Sequence, residues 1–381
     1  MMQQMLVGFK GSGSQFPPLP GYDVNKAGSY LMVPFRGPSY QTDLLFIDSN
    51  TGKVEERIVN IGYGGELYRF GTNILNLSYS STWELWSALT LQKIATGTIA
   101  SNFYSDGLKF ASDKILTFGL TNTSGNSTST AYTHSVSNSG LSQIASNTAT
   151  NMGIRNSTYG LIQNPVIGGQ ASINSSTGNL SSMGTIGTKA PNNGSSAHAL
   201  RGSMTVNSSG TSIGFNGASN DPNNYSRPVA ATGGNGNCLV SGMDGAQVHI
   251  FSGNSHGSQV PGNGLHSPPT TTFSPAAVLG SNAWLSVANI YSGSTPYPNC
   301  VVMTTGGTSS LFVVPNSTSS SVQSIPGGAA IVYVSGNDIK FRKYLSSGGL
   351  QSEVTVTDVP MTVSSSNAVN PGHAFKKIIN Y

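Results

Sequence analysis

The chain has 381 residues, a formal net charge of +4 and only 8% charged residues, against roughly 25% in an average globular protein. That length allows one large core or several small ones in series. The few Lys and Arg are scattered apart from Lys340/Arg342/Lys343 and Lys376-Lys377, which argues against the clustered basic face that nucleic acid requires. No stretch approaches the ~18 apolar residues of a membrane helix, so neither nucleic-acid binding nor membrane insertion is expected.

The charges are also unevenly spread. No acidic residue lies between Asp113 and Asp221, and no basic one between Arg227 and Lys340. Ser, Thr, Asn and Gly must therefore supply the polar surface. The start, MMQQMLVGFKGSG, lacks the long apolar run of a signal peptide. Synthesis in a host cytoplasm is expected. Two cysteines, Cys238 and Cys300, make no disulfide framework; they form one bond or stand as two buried thiols.

In chain order, Met1–Tyr22 reads as an extended arm, with the body beginning after residue 28. Its Leu6, Phe9, Phe16 and Tyr22 cannot bury themselves in so short a segment. From Ser29 a unit of short strands begins: Tyr30–Phe35, Asp43–Ile47, the turn Asp48–Gly52, then Lys53–Ile61. The pattern recurs over Ile74–Ile99, which carries Trp83 and Trp86, and over Lys114–Ala145. Weaker copies follow at Tyr159–Ile186, Leu200–Phe215, Cys238–Phe251 and Ala283–Ile325. The clearest copy is the last, Ala329–Val356. Two tight turns, Ser335–Asp338 and Ser346–Gly349, join three strands there, and Ile339–Tyr344 alternates apolar and polar.

Turns before a strand recur near Gly52, Gly140, Gly178, Asn316 and Gly349. Their spacing, on the order of 40–50 residues, matches one blade of a propeller. The expected fold is all-β: a propeller of about seven blades (six to eight, four strands each) over 29–360, with a C-terminal tail, 361–381, and terminal docking arms. Closing the ring leaves no end unit exposed. A parallel β-helix or tandem β-sandwich is the alternative.

Candidate chemistry is sparse. Gly210–Gly214 matches G-x-S-x-G, but the Phe215–Asn220 stretch after it is turn-like where that motif needs a helix. His249, His256 and His266, with Asp244 nearby, match no standard metal spacing. Asp48 in its Ser/Asn/Thr/Gly turn reads as a side-chain cap. Trp83 and Trp86 read as core between blades more readily than as sugar anchors. The Gly233–Gly236 run lacks the Lys-Ser/Thr of a phosphate loop.

The apolar start, the Gly/Ser/Asn/Thr-rich all-β body, the low charge and the missing signal together resemble tailed-phage virion structural proteins, in particular tail, nozzle and fibre-associated components. The resemblance is one of style over the whole chain and carries over no functional residues. It implies a non-enzymatic virion protein with an assembly or host-attachment role, often present as a homo-oligomer. The implied partners are other virion proteins, copies of itself, and a host surface glycan or receptor. No catalytic, cofactor-binding or metal residues and no cofactor are expected. The candidate assembly contacts are Leu6, Phe9, Phe16, Tyr22, Phe375, Ile379 and Tyr381. A lectin-like β module and a surface-polysaccharide hydrolase are the alternatives.

Overall fold

In the computed structural model the described residues are 19, 21–36, 42–62, 66–78, 82–99, 103–123, 126–149, 162–167, 172–173, 179–189, 197–224, 228–234, 237–242, 248–252, 255–259, 277–280, 283–292, 295–304, 307–313, 320–363 and 377–379. They form seven sheets. Blade 1 has three strands: β1 (Tyr30–Arg36), β2 (Thr42–Asp48) and β3 (Val54–Ile58). Blade 2 holds β4 (Glu66–Phe70), β5 (Asn73–Leu77), β6 (Thr82–Ser87) and β7 (Lys93–Thr98). Blade 3 holds β8 (Phe103–Ala111), β9 (Lys114–Thr123), β10 (Asn126–Ser137) and β11 (Gly140–Ala149).

Blade 4 is built from β12 (Ile162–Ile167), β13 (Ser172–Ile173), β14 (Asn179–Lys189), β15 (Ala197–Asn207) and β16 (Ile213–Asn224). Blade 5 comprises β17 (Pro228–Gly234), β18 (Asn237–Gly242), β19 (Val248–Ser252) and β20 (Ser255–Gln259). Blade 6 comprises β21 (Ala277–Gly280), β22 (Ala283–Ser292), β23 (Thr295–Thr304) and β24 (Gly307–Val313). Blade 7 comprises β25 (Ser320–Ile325), β26 (Gly328–Ser335), β27 (Asp338–Leu345) and β28 (Leu350–Thr355). A last strand, β29 (Lys377–Ile379), joins the blade 2 sheet beside β4.

The sheets are arranged as a closed β-propeller. The first strands touch in sequence, β4 to β8, β8 to β12, β12 to β17, β17 to β21 and β21 to β25. Contacts of β25 with β29, and of β29 with β4, complete the circle. Apart from β13, which pairs β14 beside β12, and the parallel β29, the strands of each blade are antiparallel neighbours in chain order, as short hairpins dictate. The apolar faces meet between blades. Leu31, Val33 and Leu45 of blade 1 pack on Val332, Val334 and Phe341 of blade 7. The other face of blade 1, with Tyr30, Met32 and Phe46, packs on Leu67, Ile74 and Trp86 of blade 2. Blade 2 in turn offers Tyr68, Leu75 and Trp83 to Ile115 and Val136 of blade 3. The period-2 pattern gives each strand two apolar rows, one for each neighbouring blade.

Blade 7 follows the sequence closely. Gly336, at φ +63°, makes the β26–β27 turn and Gly348, at φ +87°, the β27–β28 turn. The expected units differ from the blades in two respects. The copies expected separately at Tyr159–Ile186 and Leu200–Phe215 form a single blade, because β14 and β15 pair along their whole length from Asn179↔Asn207 to Lys189↔Ala197. The stretch Val322–Ile325, grouped by sequence with Ala283–Val314, is the first strand of blade 7 and pairs β26 from Ser320↔Tyr333 to Ile325↔Gly328. A run of short strands has no mark in the sequence for where one sheet stops.

The ring-closing seam as candidate functional site

The most elaborate polar construction among the described residues is where blades 7, 1 and 2 meet. It begins with Asp23, whose Oδ1 accepts from Asn25 N at 2.9 Å and caps a 3-10 helical turn, Val24–Ser29. This turn sets Lys26 over two buried carboxylates. Its Nζ lies 2.9 Å from Glu55 Oε1 and 3.3 Å from Asp48 Oδ2. The second oxygen of Glu55 accepts from the Tyr30 hydroxyl at 2.5 Å, and that hydroxyl accepts from Asp23 N at 3.0 Å. Asp48 also caps the β2–β3 turn, accepting from Asn50 N at 2.7 Å and Thr51 N at 3.3 Å.

Charge and burial are consistent with this wiring. Hydrogen bonds to Glu55 and then Asp48 hold the Lys26 ammonium above the usual lysine range. Burial, followed by the bond to Glu55, raises the Tyr30 phenol. The two carboxylates share one ammonium under the helical turn. Their role in this arrangement is to fix the N-terminal segment to blade 1.

Two further links tie blade 7 to blade 1. Gln323 on β25 is 1% exposed. Its Oε1 accepts from Met32 N at 3.0 Å, and its Nε2 donates to Met32 O at 2.6 Å. A side-chain amide thus takes the place of a neighbouring strand along the free edge of β1. Beyond β28 the chain runs onto β3: Val54 N donates to Thr357 O at 3.1 Å and Thr357 N to Gly52 O at 2.9 Å. Gly52, at φ +77°, is required there, since a Cβ would stand 3.0 Å from Thr355 O and closer still to Val354. Arg57 Nη1 reaches Pro360 O at 3.4 Å.

Residues near both ends of the described body pack on one seam. Leu19 on the N-terminal side, with Met361 and Val363 on the C-terminal side, packs on the apolar cluster shared by blades 7 and 1. Tyr22 is engaged within its own chain, donating to Gly71 O at 3.1 Å, with its ring tilted against Tyr30 at 5.0 Å and edge-to-face with Phe46 at 5.2 Å. Ile379 lies in β29, in register with Tyr68. The remaining candidate assembly contacts, Leu6, Phe9, Phe16, Phe375 and Tyr381, lie outside the described residues.

A second polar layer lines the seam of blades 2 and 3. Glu66, 1% exposed, accepts from Tyr68 Oη at 2.5 Å and from Gly107 N at 2.7 Å. Lys109 donates to Arg69 O at 2.8 Å and lies over the Phe70 ring. Burial, then the neighbouring Arg69, lowers its pKa to about 8. His134 on β10 is buried, and desolvation lowers it to about 4.

Of the other sequence candidates, Trp83 fills the blade 2–blade 3 seam and Trp86 the blade 1–blade 2 seam, both as core. Cys300 is a free, buried thiol pushed up to about 12 by burial. Gly210–Gly214 lies in the β15–β16 turn and runs into strand, so no nucleophile elbow forms. The backbones of His249 and His256 lie in β19 and β20; their side chains, with His266 and Asp244, are outside the described residues. Among the described residues no group of three or more His, Cys, Asp or Glu could hold a metal ion. Sequence reading missed Lys26, Glu55 and Gln323. Only Asp48 carried a local signal, because the others find their partners across elements.

No family model matches the chain and no curated protein matches it. Solved structures similar to it include dihydro-heme d1 dehydrogenase NirN in complex with DHE (7% identity, TM-score 0.43, covering 89% of this chain and 75% of that one). Others are the Cps50 (Swd1) β-propeller domain of Myceliophteria thermophila (8% identity, TM-score 0.45, 85% and 93%) and BamB from Moraxella catarrhalis (11% identity, TM-score 0.37, 86% and 91%). These likenesses are distant, and the chain's own blade order defines its fold.

Proposed function

We propose that the protein is a non-enzymatic structural component of a bacteriophage virion, a tail-associated propeller that serves in assembly or host attachment. The observation that carries this reading is that Leu19 and Val363, near the two ends of the described body, pack on the same blade 7–blade 1 cluster. A neighbouring subunit that receives residues 1–18 would bury Leu6, Phe9 and Phe16, at about 1.5–3 kcal/mol for each large apolar side chain. The buried carboxylates described above are committed to holding the ring and its N-terminal turn, which suits a rigid platform. The low charge of the chain and its resemblance to tail components support the virion setting. Partners are other virion proteins and further copies, with a host surface glycan or receptor on the exposed loops.

Mass spectrometry of gradient-purified particles, with immunogold labelling by antibodies raised to the recombinant chain, tests the reading. The expected result is stoichiometric presence and labelling at the tail; absence from particles overturns it. Deleting residues 1–18 leaves Tyr22 and the helical turn in place, and should block incorporation without unfolding the propeller.

A further inference from the structure

Strand β29 differs from every other described strand. It alone pairs in parallel, with Lys377↔Glu66, Ile378↔Leu67 and Ile379↔Tyr68 in register. It occupies the place between β4 and β25 and completes the inner circle of the ring. The opposite edge of β4 is paired with β5. Without β29, β4 would present an open row of N–H and C=O groups toward β25, the kind of edge that accepts another strand.

We infer that this place is an exchange site, taking strand 377–379 from a second copy of the chain when copies stand side by side. The inference rests on the reading of the chain as a multi-copy assembly component and specifies how its copies are linked. The pairing is only three residues long, and thirteen residues of sequence separate it from Val363 at the blade 7–blade 1 seam. Covalent connection over so short a separation supplies an effective concentration of about millimolar. Neighbours in an assembly present their own tails at a comparable concentration, and an identical strand restores the same pairs in the same register. Exchange of an identical element therefore costs little and links the copies in series.

The acceptor for the test is the full-length chain carrying Ile378→Pro and Ile379→Pro, which removes backbone donors from β29 whichever way they face. The probe is a fluorescein-labelled peptide with the sequence of residues 371–381, read by anisotropy. The double-proline chain should bind it saturably, and at least about tenfold more tightly than the wild type, whose slot is filled by its own tethered strand. In a second arm, an affinity-tagged double-proline chain is mixed with untagged wild type at rising concentration. The wild type should be retained, and excess peptide should release it. Peptide binding that is absent from both chains or equal for both overturns the inference, as does failure to retain the wild type. If circular dichroism shows the double-proline chain to be unfolded, Ile378→Gly with Ile379→Gly replaces it, with the same outcomes. Presence or absence in particles is decided separately, so a failed exchange leaves the virion reading standing, and the reverse also holds.

Discussion

Replacing Gln323 probes the closure of the ring at a single side chain. Gln323→Leu keeps much of the volume but leaves Met32 N and Met32 O without partners at a residue 0% exposed. Each buried group orphaned in this way costs about 1–3 kcal/mol, so the pair costs about 2–6 kcal/mol. Unfolding entropy of about 2.1 cal/mol/K per residue gives about 0.8 kcal/mol/K for a chain of this length, and hence a fall in midpoint of about 3–7 °C. The assay is thermal unfolding by circular dichroism at one protein concentration, with Gln143→Leu on exposed β11 as the control. Gln323→Glu adds a second arm. It keeps the acceptor but sets an anionic oxygen against Met32 O, and burial raises the new carboxyl's pKa. It should therefore be less stable at pH 8 than at pH 5 relative to wild type. A Gln323→Leu shift below about 1 °C, or one equal to the control, would show that the amide is not what closes the seam.

Three further outcomes are expected. Lys26→Met leaves Asp48 and Glu55 buried without their shared ammonium, and should speed chymotryptic cleavage at Tyr22 at neutral pH; an unchanged rate counts against the clamp. In the wild type the raised Lys26 pKa means that the clamp is complete at neutral pH and is lost as pH rises through that value. His134, lowered to about 4 by burial, is the opposite kind of linkage. The unfolded chain binds the extra proton between the ordinary histidine value and about 4, so stability drops as the pH is lowered through that window, by up to about 3 kcal/mol. His134→Gln should flatten this part of the guanidinium-midpoint profile between pH 7 and pH 4.5, and an unaltered profile would refute the assignment. Gly107→Ala would place a Cβ 2.5 Å from Tyr68 Oη and 2.9 Å from Tyr68 Cζ, disturbing the Tyr68–Glu66 bond at the blade 2–blade 3 seam. Overpacking of this kind costs about 1–3 kcal/mol, visible as a lower denaturation midpoint.

The elements themselves were legible where local chemistry sets them. The β26–β27–β28 unit is marked by its turn residues and by its alternation. Strand β4 (ELYRF) passed unnoticed, although it forms the inner strand of blade 2. It mixes charged and apolar residues, and its Glu66 and Arg69 are buried only because neighbouring blades supply their surroundings. Likewise Gln323 looks like any surface glutamine in sequence; only blade 1, brought alongside from the far end of the chain, makes it a structural amide.

The sequence by itself determined the all-β class, the rough blade length and most turns, because those depend on neighbours a few residues apart. It also placed the tryptophans between blades, since large aromatic rings in strands must be covered on both sides. The tertiary structure alone decided the division of the described residues into seven sheets, the Lys26–Asp48–Glu55 clamp, the packing of Leu19 and Val363 on one seam and the parallel β29 strand. Each of these joins residues far apart in the chain or in different blades, and no local propensity records such a pairing before the ring has closed.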